Sequence, residues 1–189
     1  MYTLSVIDAD FEYIKVLKEN FTSDLILFCG FQFERDSDFN SFDLQNRINQ
    51  SEIVQNFLCS KIVLNQFQQE VYSGPNRYVS AGALVLEADF QKLNDHEMID
   101  DTLAEILFTG GVHGCTDFQG SCETAKHLAK AFCQEIFEDD YKNRNNNCLR
   151  TFSAWNTWFM DGPYTFRETL LLNAKKTKTT WLLAYSTSD

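Results

Sequence analysis

The sequence predicts an α+β protein with a single domain over residues 1–189: a mixed or mainly antiparallel sheet, packed with helices and ending in a β-hairpin. Three observations predict this class. Segments with the composition of strands lie at both ends of the chain, and segments with the apolar spacing of helices lie between them. Hydrophobic residues make up 44% of the chain, which is enough for a substantial core. With only two prolines and eight glycines, no flexible linker divides the chain.

The first part of the chain predicts a strand, a helix, a buried strand and a loop. The helix shows one apolar stripe, and Asp8 or Asp10 can cap its start. The second strand is predicted to be buried because its apolar run is continuous. The loop is polar and acidic, although it contains two phenylalanines. In order, these four elements are predicted over residues 3–7, 10–21, 24–33 and 34–43.

The middle of the chain is predicted to be mainly helical. A helix with a break near Cys59 precedes a turn and a β-rich strand. An acidic residue, Asp95, can cap the next helix, and a loop with four glycines follows it. Ser121 can cap the last long helix, which ends in three acids. These elements are predicted over residues 44–71, 78–87, 95–108, 109–120 and 121–140.

The C-terminal part of the chain is predicted to form strands. Two strands, over residues 149–159 and 165–173, precede a last strand over residues 179–186. Residues 174–178 contain three lysines and form a basic turn between the last two strands. This pair is the β-hairpin that closes the predicted sheet.

Charge is the strongest functional signal in the sequence. The formal net charge is −11. Residues 1–140 carry 24 acidic and nine basic side chains, whereas residues 141–189 carry three and seven. A chain of this kind repels nucleic acid and anionic membranes and attracts cationic partners. We therefore expect a protein partner with a basic surface, and neither nucleic acid nor membrane as a ligand.

Two acidic segments and two tryptophans are the candidate partner-binding residues. Acids steer association with a basic protein. Three of them end the helix over residues 121–140, where negative charge is unfavourable and suggests another role. Tryptophans are common anchors of interfaces, although core packing is their usual role. The candidates are Asp36, Asp38, Asp43, Glu138, Asp139, Asp140, Trp155 and Trp158.

The loop over residues 110–117 is an alternative site. Its glycines, histidine and cysteine, together with Asp117, could support thiol catalysis before a helix. The same region could hold zinc, because two histidines and two cysteines fall within fifteen residues, although their spacing matches no standard zinc motif. The four candidate ligands are His113, Cys115, Cys122 and His127. A tight connection between two helices explains the glycines equally well. A metal-binding or small-ligand regulatory domain remains a further alternative.

Other features predict a protein of the cytoplasm that needs no cofactor. The first residues lack the basic and long apolar segments of a signal peptide, and no run is long enough for a membrane span. The six cysteines are irregularly spaced, which favours reduced thiols. The chain contains no P-loop, no G-x-G-x-x-G, no G-x-S-x-G and no H-E-x-x-H motif.

The C-terminal segment resembles a bacterial family. The pattern Ser153-Ala-Trp155-x-x-Trp158-Phe159-x-Asp161, followed by a hairpin that ends at Asp189, is similar to the ends of small bacterial proteins that include immunity proteins of polymorphic toxins. The resemblance covers about 40 residues, and it implies a toxin-binding inhibitor without an active site. Frequent Asn, Lys and Phe also suggest an AT-rich bacterial source. An immunity protein is therefore the first hypothesis, and a thiol-dependent enzyme the second.

Overall fold

A six-stranded antiparallel sheet organises the fold. The computed structural model describes residues 2–21, 25–45, 56–71, 90–93, 96–110, 116–143, 147–153 and 164–188. The order of strands across the sheet is β1-β2-β6-β5-β4-β3, and every described pair is antiparallel. The strands are β1 (Leu4–Ile7), β2 (Leu25–Phe33), β3 (Gln91–Leu93), β4 (Asn147–Thr151), β5 (Tyr164–Ala174) and β6 (Thr179–Ser188). The predicted α+β class and the C-terminal hairpin are confirmed.

Helices connect the strands. The helices whose two ends both lie in the described residues are α1 (Glu12–Asn20), α2 (Asp36–Gln45), α3 (Lys61–Val71), α4 (His96–Thr109), α5 (Cys122–Phe137) and α6 (Asp139–Asn143). Helices α1, α4 and α5 match predicted helices, and the predicted break near Cys59 lies directly before α3. No described helix is long and apolar enough to cross a membrane. The predicted strand over residues 78–87 lies outside the described residues.

Helices cover both faces of the sheet. Consecutive residues of a strand point to opposite faces, so the run of leucines in β5 fills two cores. Leu170 and Leu172 pack against α1, α4 and α5, while Leu171 packs against α2 and α3. We call these coverings the α1/α4/α5 layer and the α2/α3 layer. The layers explain why the central strands are apolar on both faces.

A tyrosine of α1 holds the α1/α4/α5 layer together. The Tyr13 hydroxyl donates a hydrogen bond to the carbonyl oxygen of Leu103 in α4 at 2.7 Å. Its ring stacks on Phe132 of α5, with the ring centroids 4.9 Å apart. The predicted cap of α1 by Asp8 or Asp10 is wrong, because Phe11 occupies the N-cap and no side chain caps the helix. Contacts with α4 and α5, rather than a cap, position α1.

Residues 36–45 form helix α2, so the prediction of a loop over residues 34–43 is wrong. Phe39 and Phe42 are three residues apart, so they lie on one face of a helix. Both are buried against the sheet in the α2/α3 layer. Asp36 and Asp38 lie in the first turn, where the helix dipole favours negative charge. The two phenylalanines therefore outweigh the polar composition of the segment.

Helix α5 begins as predicted but ends earlier. The Ser121 side chain caps it by accepting a hydrogen bond from the Thr124 backbone N–H at 3.1 Å. The helix ends at Phe137, because Glu138 has a φ angle of 48° and a new helix starts at Asp139. The acids at 139 and 140 thus lie at a helix start, where their charge is favourable. The unfavourable charge expected at the end of α5 does not arise.

Two further boundaries differ from the prediction. Strand β4 ends at Thr151 instead of 159, and residues 154–163 lie outside the described residues. Strand β3 has three residues, too few for a recognisable pattern, and exists through its pairing with β4. Both differences concern short pairing segments whose ends depend on the neighbouring strand.

Candidate functional site

The two predicted acidic segments meet at the turn of the β5–β6 hairpin. We call residues 175–178, which contain three lysines, the basic turn. Lys178 donates a hydrogen bond to Asp36 of α2, and Lys176 donates one to Asp139 of α6. The structure therefore brings the acidic segments together, but through lysines of the same chain.

Asp38 and Asp140 accept hydrogen bonds from the backbone. The Thr3 N–H donates to the Asp38 carboxylate at 2.8 Å, which ties the start of the chain to α2. Asp140 is 2% exposed, and the backbone N–H of Lys176 donates to it at 2.5 Å. The prediction that Asp140 contacts a partner is therefore wrong, because its carboxylate is buried against the basic turn.

The other predicted acids differ in exposure. Asp139 is exposed, and the hydrogen bond and charge of Lys176 lower the pKa of its carboxyl. Glu138 is exposed at the junction of α5 and α6. Asp43 lies in α2, and its side chain is outside the description. Exposed ion pairs contribute little to stability, so the pair of Asp139 with Lys176 is expected to add little to the stability of the fold.

A matched pair of substitutions separates the buried acid from the exposed one. Asp140→Ala is expected to lower the free energy of unfolding by about 1–3 kcal/mol, because it removes a buried carboxylate that accepts a hydrogen bond from the Lys176 backbone N–H. Asp139→Ala is expected to leave stability nearly unchanged, since its pair is exposed. Urea unfolding measures both values. Equal losses for the two variants would contradict the different roles assigned here.

The largest excess of exposed acids lies on the α1/α4/α5 layer and the segments leading into α1 and α5. Nine carboxylates and four lysines are exposed there among the described residues. Lys15 pairs with Asp10 at 2.9 Å and Lys126 with Asp101 at 3.2 Å, so negative charge remains in excess. The acids are Asp8, Asp10, Glu12, Glu19, Asp101, Glu105, Asp117, Glu123 and Glu135. We call this surface the acidic layer; the sequence did not single it out, because its acids are scattered among helix residues.

The described residues provide little support for the alternative thiol and zinc sites. Cys122 and His127 are both exposed on α5. Five positions correspond to about 140° around a helix, so these side chains point apart. No group of three or more possible ligands occurs in the part of the chain that the structure describes. His113 and Cys115, like Trp155 and Trp158, lie outside it, and their roles stay predictions.

A buried ion pair that the sequence analysis missed connects three strands. Glu168 of β5 is 1% exposed and accepts hydrogen bonds from Arg150 Nε and from the Tyr185 hydroxyl, each at 2.5 Å. Burial raises the pKa of the Glu168 carboxyl, while Arg150 and Tyr185 act in the opposite direction. The Arg150 guanidinium also lies over the Phe152 ring, 4.5 Å from its centroid. The charged residues Arg167 and Glu168, directly before the apolar run 170–172 of β5, were the available signal.

A groove opens where β1 ends beside β2. Its volume is about 300 Å³, at the lower limit of ligand pockets. Phe28, Gly30 and Trp181 contribute apolar surface, and Asp8 and Gln66 contribute polar side chains. No sequence pattern indicates this groove, because its residues come from four separate elements.

No protein-family model, no curated protein and no solved structure matches this chain. The chemistry of the described surface is therefore what points to a function. Three features of that surface can be compared: the acids around the basic turn, the acidic layer and the groove beside β1.

Proposed function

We propose that this protein is a cytoplasmic inhibitor of the immunity type, which binds a basic protein toxin and neutralises it. The observation that carries the proposal is the acidic layer, with nine exposed carboxylates and four lysines. Clustered charge of one sign attracts a partner of the opposite sign and raises the rate of association. A toxin with a basic surface is the kind of partner that this charge favours.

The acids around the basic turn are less suited to this role than the acidic layer. Lys176 and Lys178 already neutralise Asp139 and Asp36, and Asp140 is buried. A partner that used these carboxylates would have to displace lysines of the chain itself. On the acidic layer, by contrast, acids outnumber the available lysines, so a partner's cations find carboxylates without such competition.

The α1/α4/α5 layer is also a firm support for these charges. Tyr13 bonds α1 to α4 and stacks on α5, and the inner faces of all three helices are buried in one core. Charges held on a rigid surface lose less conformational entropy on binding than charges on loops. The predicted site is thereby moved from the acids around the basic turn to the acidic layer, while the type of partner stays the same.

Charge reversal on the acidic layer tests the proposal. A partner is first isolated by co-purification with the tagged chain at low and at high salt, and its toxicity is measured with and without co-expression of this protein. Association of the purified proteins is then followed for Glu105→Lys combined with Glu123→Lys. We expect association to slow by about tenfold at low salt and to depend less on salt, because electrostatic steering is weakened.

Glu34→Lys is the matched control for Glu105→Lys alone, since each reverses one charge and Glu34 is exposed but follows β2 outside the acidic layer. We expect its effect on the association rate to be much smaller than that of Glu105→Lys. Two results would overturn the proposal: a partner whose toxicity persists in the presence of this protein, or association that responds equally to Glu34→Lys and to Glu105→Lys.

A further inference from the structure

We propose that the groove beside β1 binds an extended basic peptide segment, which adds as a strand to the outer edge of β2 and places a cationic side chain next to Asp8. The inference does not depend on the immunity function, since any protein with an exposed basic segment could supply the ligand. Three observations carry it: the different lengths of β1 and β2, the direction of the β2 backbone groups, and the charge around the groove.

Strand β2 is longer than its outer neighbour. β1 pairs with residues 30–33 of β2, and its last pair joins Ile7 to Gly30. β2 begins at Leu25, so residues 25–29 extend beyond β1. They pair with β6 on the inner side, but no described strand lies beside them on the outer side. An edge of this kind is a template for a further strand.

The register shows which backbone groups face this edge. The Phe33 N–H donates to the Lys178 carbonyl oxygen on the β6 side, whereas the Glu34 N–H donates to that of Thr3 on the β1 side. Alternate residues of a strand direct their backbone groups to the same side. Because the pairing of β2 is regular, the N–H and C=O groups of Ile26 and Phe28 face outward, as those of Glu34 do.

The groove lies at this edge and fits one large side chain of an added strand. Its volume of about 300 Å³ exceeds that of a single side chain, and Phe28 and Trp181 form apolar walls. Val6, which also lines the groove, is one of the large hydrophobic side chains exposed in the described chain, at 42%. The apolar part of a ligand side chain that enters the groove would cover Val6 and exclude water from it.

The charge around the groove selects a basic ligand. Asp8 is the acidic residue among the described lining residues. Asp10 and Glu12 follow it and are exposed, while Lys15 balances only one of the three charges, through its pair with Asp10. A lysine or arginine side chain with its stem against the apolar wall and its charge at Asp8 satisfies both properties of the site.

A synthetic peptide tests the inference directly. The probe is an acetylated and amidated pentapeptide with lysine at positions one, three and five and valine between them. Its binding to the full chain is measured by calorimetry and by NMR shifts of backbone amides. We expect shifts at Ile26 and Phe28, and weaker binding of a peptide with glutamate in place of lysine. A backbone N-methylated peptide should also bind more weakly, because it cannot form the ladder of hydrogen bonds.

Variants of the groove complete the test. Asp8→Asn is expected to weaken binding about fivefold, and Ala9→Trp, which fills the groove from an exposed position, is expected to abolish it. Asp10→Asn is the matched control, expected to change the affinity less than about twofold. Unfolding curves of all variants verify that they are folded. Glu105→Lys with Glu123→Lys should leave peptide binding unchanged, which distinguishes this site from the part of the acidic layer on α4 and α5.

Four results would overturn the inference. They are an absence of binding to the wild-type chain, equal binding of the lysine and glutamate peptides, equal binding of the N-methylated peptide, and equal losses for Asp8→Asn and Asp10→Asn. Sedimentation supplies a fifth: a dimer that Ala9→Trp dissociates would make a second copy of this chain the occupant of the edge. In that case the basic segment would not be the ligand.

Discussion

Replacing Arg150 by methionine is expected to destabilise the protein by about 3–5 kcal/mol at neutral pH, because it leaves the Glu168 carboxylate buried without a counter-charge. Glu168 is 1% exposed, and only 15% of the Arg150 side chain is accessible. After the substitution, the Tyr185 hydroxyl is the one remaining hydrogen-bond donor recorded for this carboxylate within the described chain. A single neutral donor does not replace the solvation that the carboxylate loses.

The cost of Arg150→Met should depend on pH in a defined direction. Burial already raises the pKa of Glu168, and Arg150 opposes this rise. Without Arg150, the pKa in the folded state rises further. When the pKa of a carboxyl is higher in the folded state than in the unfolded state, the protonated form stabilises the fold. This stabilisation is complete below the pKa of the unfolded state, about 4.3 for Glu, and it is lost as the pH rises through the pKa of the folded state. The destabilisation should therefore be larger at pH 8 than at pH 5.

Urea unfolding at pH 5 and pH 8 measures this difference. The double variant Arg150→Met with Glu168→Leu should recover much of the loss and its pH dependence, because apolar side chains of similar size often replace a buried ion pair without cost. Lys126→Met is the control, since it removes a lysine from an exposed pair and should change stability little. A loss that is the same at both pH values, or no recovery in the double variant, would contradict this account of Glu168.

The elements that the sequence predicted well are those with a local signal. Helix α5 has a capping serine, and its apolar spacing marks the buried face that the structure shows. The β5–β6 hairpin has apolar strands on both sides of a basic turn, and the strands pair around that turn. In these elements the residues that determine the structure are near each other in sequence, so the pattern alone was sufficient.

The missed features depend on contacts between distant residues. Helix α2 looks polar, and its helical state depends on the burial of Phe39 and Phe42 against the sheet. The break at Glu138 has no glycine or proline to mark it, although the backbone adopts a positive φ. Glu168 in an apolar strand would ordinarily point to solvent. Its burial follows from helices covering both faces and from Arg150 in the adjacent strand.

The acidity of the candidate surface could be predicted from the sequence, whereas its location could not. Acidity and the exposure of acids follow from composition, but the sequence does not show which acids the chain neutralises itself. Asp36 and Asp139 are paired by lysines that lie 142 and 37 positions away. The acidic layer became visible only when α1, α4 and α5 were placed side by side.

Replacing Gly30 by alanine is expected to destabilise the protein by about 2–3 kcal/mol, because the new methyl group has no room. Gly30 lies opposite Trp181 in the adjacent strand, and a Cβ atom at Gly30 would be 2.3 Å from Cζ3 of the indole ring. The indole cannot move aside freely. Phe28 stacks on it with ring centroids 5.5 Å apart, and Phe11 meets it edge-on at 5.1 Å.

A double-mutant cycle with Trp181→Leu tests whether the indole is the cause. In that background the clash is gone, and Gly30→Ala should be neutral or stabilising by about 0.5 kcal/mol, since alanine has less conformational freedom than glycine in the unfolded chain. The cost of Gly30→Ala should therefore disappear. The coupling energy between the two positions is obtained from urea unfolding of the four proteins.

Gly120 is the matched control, because it tests whether a short distance from the new Cβ atom to an aromatic ring is destabilising on its own. A Cβ atom there would also be 2.3 Å from an aromatic ring, that of Phe118. Phe118 belongs to a connecting segment and is only partly buried, so its ring can turn away. Gly120→Ala should therefore cost much less than Gly30→Ala. Equal costs would mean that the aromatic packing around Trp181 does not hold the indole over β2, and that the wall of the groove is free to move.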